Sequence, residues 1–140
     1  MMKTDAIEKI KALLNPKYDV LHLPIKGMWF NMIASGIKKE EYRDVKRRYI
    51  SLLTNVKELS VHQLGSNPSG FKDLKILHLT AGYGDHRPQL WAEIESITIG
   101  TGNPDWGAEL GKDYFVIKIG KITHTKNFVL QSQPYSGTNV

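Results

Sequence analysis

The sequence predicts an α+β domain with a mostly antiparallel sheet of about five strands flanked by two or three helices. Three observations carry that reading: about five segments alternate as strands do, two or three show helical spacing, and no regular strand–helix alternation continues past the start. A doubly wound parallel sheet would need that alternation throughout, so it is set aside in favour of an open antiparallel sheet or a small barrel. With 140 residues the chain suits one domain, 1–140, long enough to bury a core and too short to split it.

Asp5 followed by Glu8 has the form of a capping box, and Ile7, Ile10, Leu13 and Leu14 then repeat at helical spacing. This predicts an N-terminal helix over 5–14, stopped by Asn15 and Pro16. YDVLHLPI reads as a strand with Val20 and His22 on one face and Leu21 and Leu23 on the other, closed by Pro24. In KGMWFNMIASG, Met28, Trp29, Met32 and Ile33 form a helical stripe, and Gly36 stands where a left-handed C-cap residue belongs. Residues 38–43 read as a strand. After Asp44 a helical period returns with Val45, Tyr49, Leu52 and Leu53 on one face. LKILHLTA is almost continuously apolar, as in a strand covered on both faces. LWAEIESITI turns Leu90, Ala92 and Ile94 inward and then changes phase to Ile97 and Ile99, which predicts a bulge near Glu95 or Ser96. YFVIKIGKI sets Phe115, Ile117 and Ile119 against Tyr114, Val116 and Lys118. The core is thus expected over 19–123, with a loose tail over 125–140.

The chain has no cysteine, which excludes disulfides and thiolate metal sites and suits a reducing compartment. The N-terminus is too charged for a signal peptide and no apolar run reaches membrane length, so a cytoplasmic protein without membrane partners is expected. Charge is unevenly placed: residues 1–70 hold 12 Lys+Arg against 7 Asp+Glu, whereas 71–140 hold 7 against 7. The net +5 therefore belongs to the first half, where it can create a field that attracts phosphates.

Several motifs are excluded by their spacing. GAELGKD has three residues between its glycines where a phosphate loop needs four, and GTG lacks the third glycine of a dinucleotide fingerprint. The five histidines show no ligand spacing, so no metal or other cofactor is predicted. Glu93 and Glu95 share a strand face, an arrangement open to acid–base chemistry but usual for a solvated edge. More informative is SGIKKEEYRDVKRRY, which contains Gly36-x-Lys38-x-x-Glu41-x-Arg43. In an extended strand Glu41 and Arg43 share a face within reach of a carboxylate–guanidinium bond, with Lys38 at the entry beside the glycine cap. Such a set can hold a base edge, hold a phosphate, or knit a groove together as an ion pair.

With these residues, LPIKGMWFNMIASGIKKEEYR resembles the signature of ASCH domains, the activating-signal-cointegrator homology relatives of the PUA superfamily. Lys26, Gly36, Lys38, Glu41 and Arg43 all match it. AGYGDHRPQLWAEIESITIG, the WGAELG turn and YFVIKIGKI are similar to the small ASCH proteins of phages and prophages, so the likeness spans roughly 19–123. It implies a PUA-like β-barrel flanked by helices, with a cleft beside the motif that takes RNA or a modified nucleotide or nucleoside. Lys38, Glu41 and Arg43 would line the cleft, with Lys26 near its rim. One branch of the family hydrolyses acetylated cytidine with a motif lysine, a threonine nucleophile and a glutamate. Lys38 matches the lysine, Glu41 stands where the threonine would be, and Asp105 and Glu109 lie in the region of the glutamate.

Outside the motif, Tyr83 and Arg87 in GYGDHRP are candidates for base stacking and phosphate contact, with a hydrophobic plug as the other reading of Tyr83. Lys46, Arg47 and Arg48 could track phosphates or form a solvated helix face. Trp29, Trp91 and Trp106 read as packing residues. The function expected is a nucleic-acid- or nucleotide-binding module. Its rivals are a small hydrolase, either an amidohydrolase with Lys38 as base or a ribonuclease, and a structural protein whose charges pair internally.

Overall fold

The computed structural model describes residues 19–56 and 70–130, so the helix expected over 5–14 lies outside the described residues. The elements in order are β1 (Val20–Ile25), α1 (Gly27–Ala34), β2 (Glu40–Asp44), α2 (Arg47–Leu53), β3 (Ile76–Ala81), β4 (Gln89–Thr101), a 3-10 turn (Pro104–Trp106) and β5 (Asp113–Lys126). The five strands form one mixed sheet in the order β1-β3-β4-β5-β2. Only β1 and β3 run parallel; β3–β4, β4–β5 and β2–β5 are antiparallel. The sheet ladder does not close, so β1 and β2 are its two edges among the described residues and the expected barrel is not completed by backbone pairing.

Alternation sets the core. Leu21, Leu23 and Ile25 of β1, Leu77, Leu79 and Ala81 of β3, Leu90 and Ala92 of β4, and Phe115, Ile117 and Ile119 of β5 are buried on one face. Pro24 fits within β1 because an edge strand has one side on which a missing N–H breaks no ladder. The α1 and α2 helices cover this face, burying Phe30 and Ile33, and Ile50 and Leu53. Each helix is turned from the expected stripe: Met28 and Leu52 are exposed, while Phe30 and Ile50 face inward. In α1 the packed set is Trp29, Phe30, Ile33 and Ala34, the expected spacing shifted by one residue.

One strand reading also changes. The β3 strand is fully buried on one face only, since Ile76, His78 and Thr80 remain half-exposed. Tyr114 and Val116, on the other face of β5 from Phe115, Ile117 and Ile119, are buried as well, and Tyr114 is held under the segment 102–112, whose Glu109 N–H bonds Tyr114 Oη at 2.9 Å. The β4–β5 pairing shifts register three times between Trp91 and Ser96, and the shift between Ile94 and Ser96, with its extra residue in β4, is the expected bulge. Gly120 lies beside that bulge, where a Cβ would come within 3.1 Å of Glu95. The β5 strand also runs on to Lys126, so the order of the chain extends past the predicted start of the tail. Asn127 Nδ2 continues it by bonding the Asp85 and Arg87 carbonyls at 2.8 and 2.9 Å.

Candidate functional site

Glu41 lies opposite Ile117 and Arg43 opposite Phe115, so both leave β2 on the side where these apolar residues are buried. A carboxylate and a guanidinium thus enter the margin of the core, where charges persist only if paired and hydrogen-bonded. Glu41 is 6% exposed and the Arg43 side chain 13%. Arg43 Nη2 and Nε both donate to Glu41 Oε2, at 2.6 and 3.0 Å. With both nitrogens on one oxygen, Oε1 is left to face Lys38 Nζ at 3.3 Å. Arg43 Nη2 also donates to the Pro24 carbonyl of β1 at 2.8 Å, and Nη1 to Tyr49 Oη of α2 at 3.3 Å. These bonds occupy four of the five guanidinium N–H groups. Burial pulls the Arg43 pKa down, but Glu41 and Tyr49 outweigh it, and the net shift is upward.

Lys38 is delivered by the end of α1. Gly36 adopts φ +88, its N–H bonds the Ile33 carbonyl, and the Ile37 N–H bonds that of Met32, which together make a Schellman cap. The chain leaves this cap with Lys38 turned inward, only 2% exposed. Its ammonium donates to the Trp106 carbonyl at 2.6 Å and lies 5.2 Å from the Trp29 ring centre and 4.7 Å from that of Tyr42. Burial lowers its pKa below 10.5, and Glu41 opposes the shift.

Residues 102–112 form the cover. Asn103 N–H bonds Tyr42 Oη at 2.9 Å, and Gly102 lies so close that a Cβ there would come within 2.7 Å of the Tyr42 ring. Gly107, at φ +103, packs on Trp29. Burial and donation to Glu40 Oε1 raise the pKa of the Tyr42 hydroxyl.

Beside this cluster is a cleft of about 300 Å³ whose walls include Lys26, Trp29, Glu41, Tyr42, Arg43 and Tyr49. Glu41, Arg43 and Lys26 therefore meet there as expected. Lys38 does not line it, and lies behind its walls against Glu41, Trp29 and Tyr42.

Comparison with protein-family models, curated proteins and solved structures found no match to this chain.

The remaining sequence candidates lie elsewhere. Lys46, Arg47 and Arg48 are exposed at the start of α2; Lys46 pairs with Asp44 at 3.2 Å and Arg48 lies over the Tyr49 ring. Tyr83 is 82% exposed, so it plugs no core, and it is not among the cleft walls. Its turn is nevertheless tied to the cleft's β1 wall, because Gly82 N–H bonds the Ile25 carbonyl at 2.9 Å. Arg87 folds back beneath Gly82, with Nε on the Ala81 carbonyl at 2.7 Å, and holds that turn. Glu93 and Glu95 are exposed, and Glu95 faces Lys118 at 3.7 Å. Asp105 and Glu109 are exposed in the cover.

Sequence reasoning missed Tyr42 and Tyr49 as cleft walls and favoured packing over ligand contact for Trp29. It also could not locate the Pro24 and Trp106 carbonyls, because backbone acceptors carry no residue-type signal. Among the described residues, no group of three or more His, Asp or Glu is placed to hold a metal ion, and no helix is long and apolar enough to cross a membrane.

Proposed function

We propose that the cleft binds a nucleotide-sized ligand, single-stranded RNA or a modified nucleoside, and that the chain is an ASCH-type module with a PUA-like sheet. The observation that carries this reading is the convergence, in one cleft of about 300 Å³, of three aromatic walls, a buried carboxylate–guanidinium pair and the exposed ammonium of Lys26. That volume lies at the lower end of ligand pockets and suits one base with its sugar better than a duplex. Trp29 and Tyr49 supply ring surface for stacking. Glu41 accepts from a base amine, the remaining Arg43 N–H donates to a base carbonyl, and Lys26 meets the phosphate. The PUA-like reading draws on Arg43, whose bond to Pro24 joins the two open edges of the sheet through a side chain.

The hydrolase reading draws on the lowered pKa of Lys38, but its ammonium is engaged by Trp106 and Glu41, and Glu41 replaces the hydroxyl nucleophile of the acetylcytidine hydrolases. Binding is therefore the better supported chemistry. Titration with labelled single-stranded RNA, cytidine and acetylated cytidine tests it. We expect saturable binding without turnover, with log K falling against log salt by about 0.7 per phosphate neutralised. Lys26→Ala should remove about one such increment while leaving stability unchanged. No binding by the folded protein to any of these ligands would overturn the proposal.

A further inference from the structure

On the sheet face opposite the core, four rings lie in register across four strands: His22 of β1 opposite His78 of β3, His78 opposite Trp91 of β4, and Trp91 opposite His124 of β5. His78 stacks on Trp91 at 4.2 Å, and its Nδ1 lies 2.6 Å from His22 Nδ1. Two imidazole nitrogens at that distance hold one proton between them, one donating and the other accepting.

The surroundings decide which nitrogen donates. Gln89 Nε2 points to the Asp85 and Arg87 carbonyls at 3.1 and 3.5 Å, so Gln89 Oε1 is the atom presented to His78 Nε2 at 2.7 Å. An amide oxygen can only accept, so His78 carries its proton on Nε2. When neutral it therefore turns the Nδ1 lone pair toward β1, and His22 is the donor.

We propose that the His22–His78 pair is a one-proton clasp that holds edge strand β1 against β3, and that a proton added to His78 Nδ1 releases it and loosens the cleft wall that β1 supplies. With both Nδ1 atoms protonated, two N–H groups would face each other across 2.6 Å with no acceptor between them, and His78 would carry a positive charge. Besides the core packing of Leu21, Leu23 and Ile25, the described attachments of β1 include its ladder to β3, the Arg43 bond to Pro24 and the Gly82 bond to Ile25. Pro24 is two residues from His22, so movement at the clasp reaches the atom that Arg43 grips. The clasp is a property of the fold and does not depend on which ligand the cleft takes.

Burial and the nearest charged neighbours act in the same direction on His78. Burial lowers the His78 pKa below the ordinary 6.5, with His22 and Lys126 adding to that shift and Gln89 opposing it. From β5, Lys126 is paired with Asp85 of the β3–β4 turn at 2.8 Å, and His124 leans on Trp91 at 5.0 Å. From β4, exposed Glu93 lies opposite Ile76, two register rows away. Since the folded form holds the His78 proton more weakly than the unfolded chain, stability contributed here is present above pH 6.5 and is lost as pH falls through the lowered value.

Two NMR measurements on the full chain test the clasp. Long-range proton–nitrogen spectra of the imidazoles at about pH 8 should show His78 protonated on Nε2 and His22 on Nδ1, with the His78 pattern lost on acidification. Amide exchange, corrected for intrinsic rates, should show β1–β3 protection falling about tenfold relative to β4–β5 between about pH 7.5 and pH 5.5. His22→Phe should abolish that differential, and His22→Asn serves if the phenylalanine does not fold. A constant ratio of protection across pH, or an unchanged ratio profile in the His22 variant, would overturn the proposal, as would a His78 Nδ1–H tautomer at pH 8.

Discussion

At the scale of single residues, Glu41 is the side chain on which the cluster depends, because one carboxylate neutralises two buried cations, Lys38 on Oε1 and Arg43 on Oε2. Removing it leaves two uncompensated charges at the core margin, so Glu41→Ala should lower stability by about 3–5 kcal/mol in urea denaturation near neutral pH. The same variant should recover part of the loss at higher pH. Without Glu41, the Lys38 pKa falls further below 10.5, and between that value and 10.5 the unfolded chain binds more protons, so stability rises with pH across the window. A loss equal at pH 7 and pH 10 would show that Lys38 is not buried as a cation. The meeting of these side chains was legible in the sequence, because strand geometry alone puts residues 41 and 43 on one face. What each charge bonds beyond that was not. The Trp106 carbonyl is 68 residues from Lys38, and only the path of the chain brings it near.

At the scale of elements, the α1 cap aims Lys38, and Gly36 is the residue that makes the cap possible. A Cβ there would meet nothing within 4 Å, so any cost of substitution is backbone strain at φ +88 rather than crowding. Gly36→Ala should therefore cost about 1–2 kcal/mol, and Gly36→Asn less, as read by thermal denaturation. Equal stability of Gly36→Ala and the parent would count against a left-handed cap. That glycine was readable in advance because its position after an apolar helical run has one common backbone explanation. The phase of the helix was not: GMWFNMIA is apolar on several sides, so two turns offer more than one stripe, and packing against the sheet chose Phe30 over Met28. The bulge in β4 was legible because a phase change in alternation has few other causes. The burial of Tyr114 and Val116 was not legible, because alternation within a strand carries no information about what covers its second face.

At the scale of the whole molecule, Arg43 ties together parts that no ladder joins. It leaves β2 at one edge of the sheet and bonds β1 at the other, with α2 held through Tyr49. Lysine keeps the charge but loses the planar fork, so Arg43→Lys should cost about 2–4 kcal/mol in urea denaturation, and Tyr49→Phe less, since it removes only the longest of the four bonds. A stability loss in Arg43→Lys no larger than that in Tyr49→Phe would remove Arg43 from this role. The α+β class and the five-strand count were legible from periodicity, whereas strand order and the parallel β1–β3 pair were not, because alternation describes a strand and not its neighbour. That order bears on how the chain is made. The β2 strand finds its partner only in β5, with Glu41 and Ile117 separated by 76 positions, so its charges stay hydrated while the intervening chain is synthesised. The ribbon of β4 and β5 needs only the short connection between them and can form early, whereas docking of β2 bears the larger loop-closure entropy. The pocket is thus among the last features of the fold to mature, and a nascent chain lacking β5 would carry the motif residues without the cavity they build.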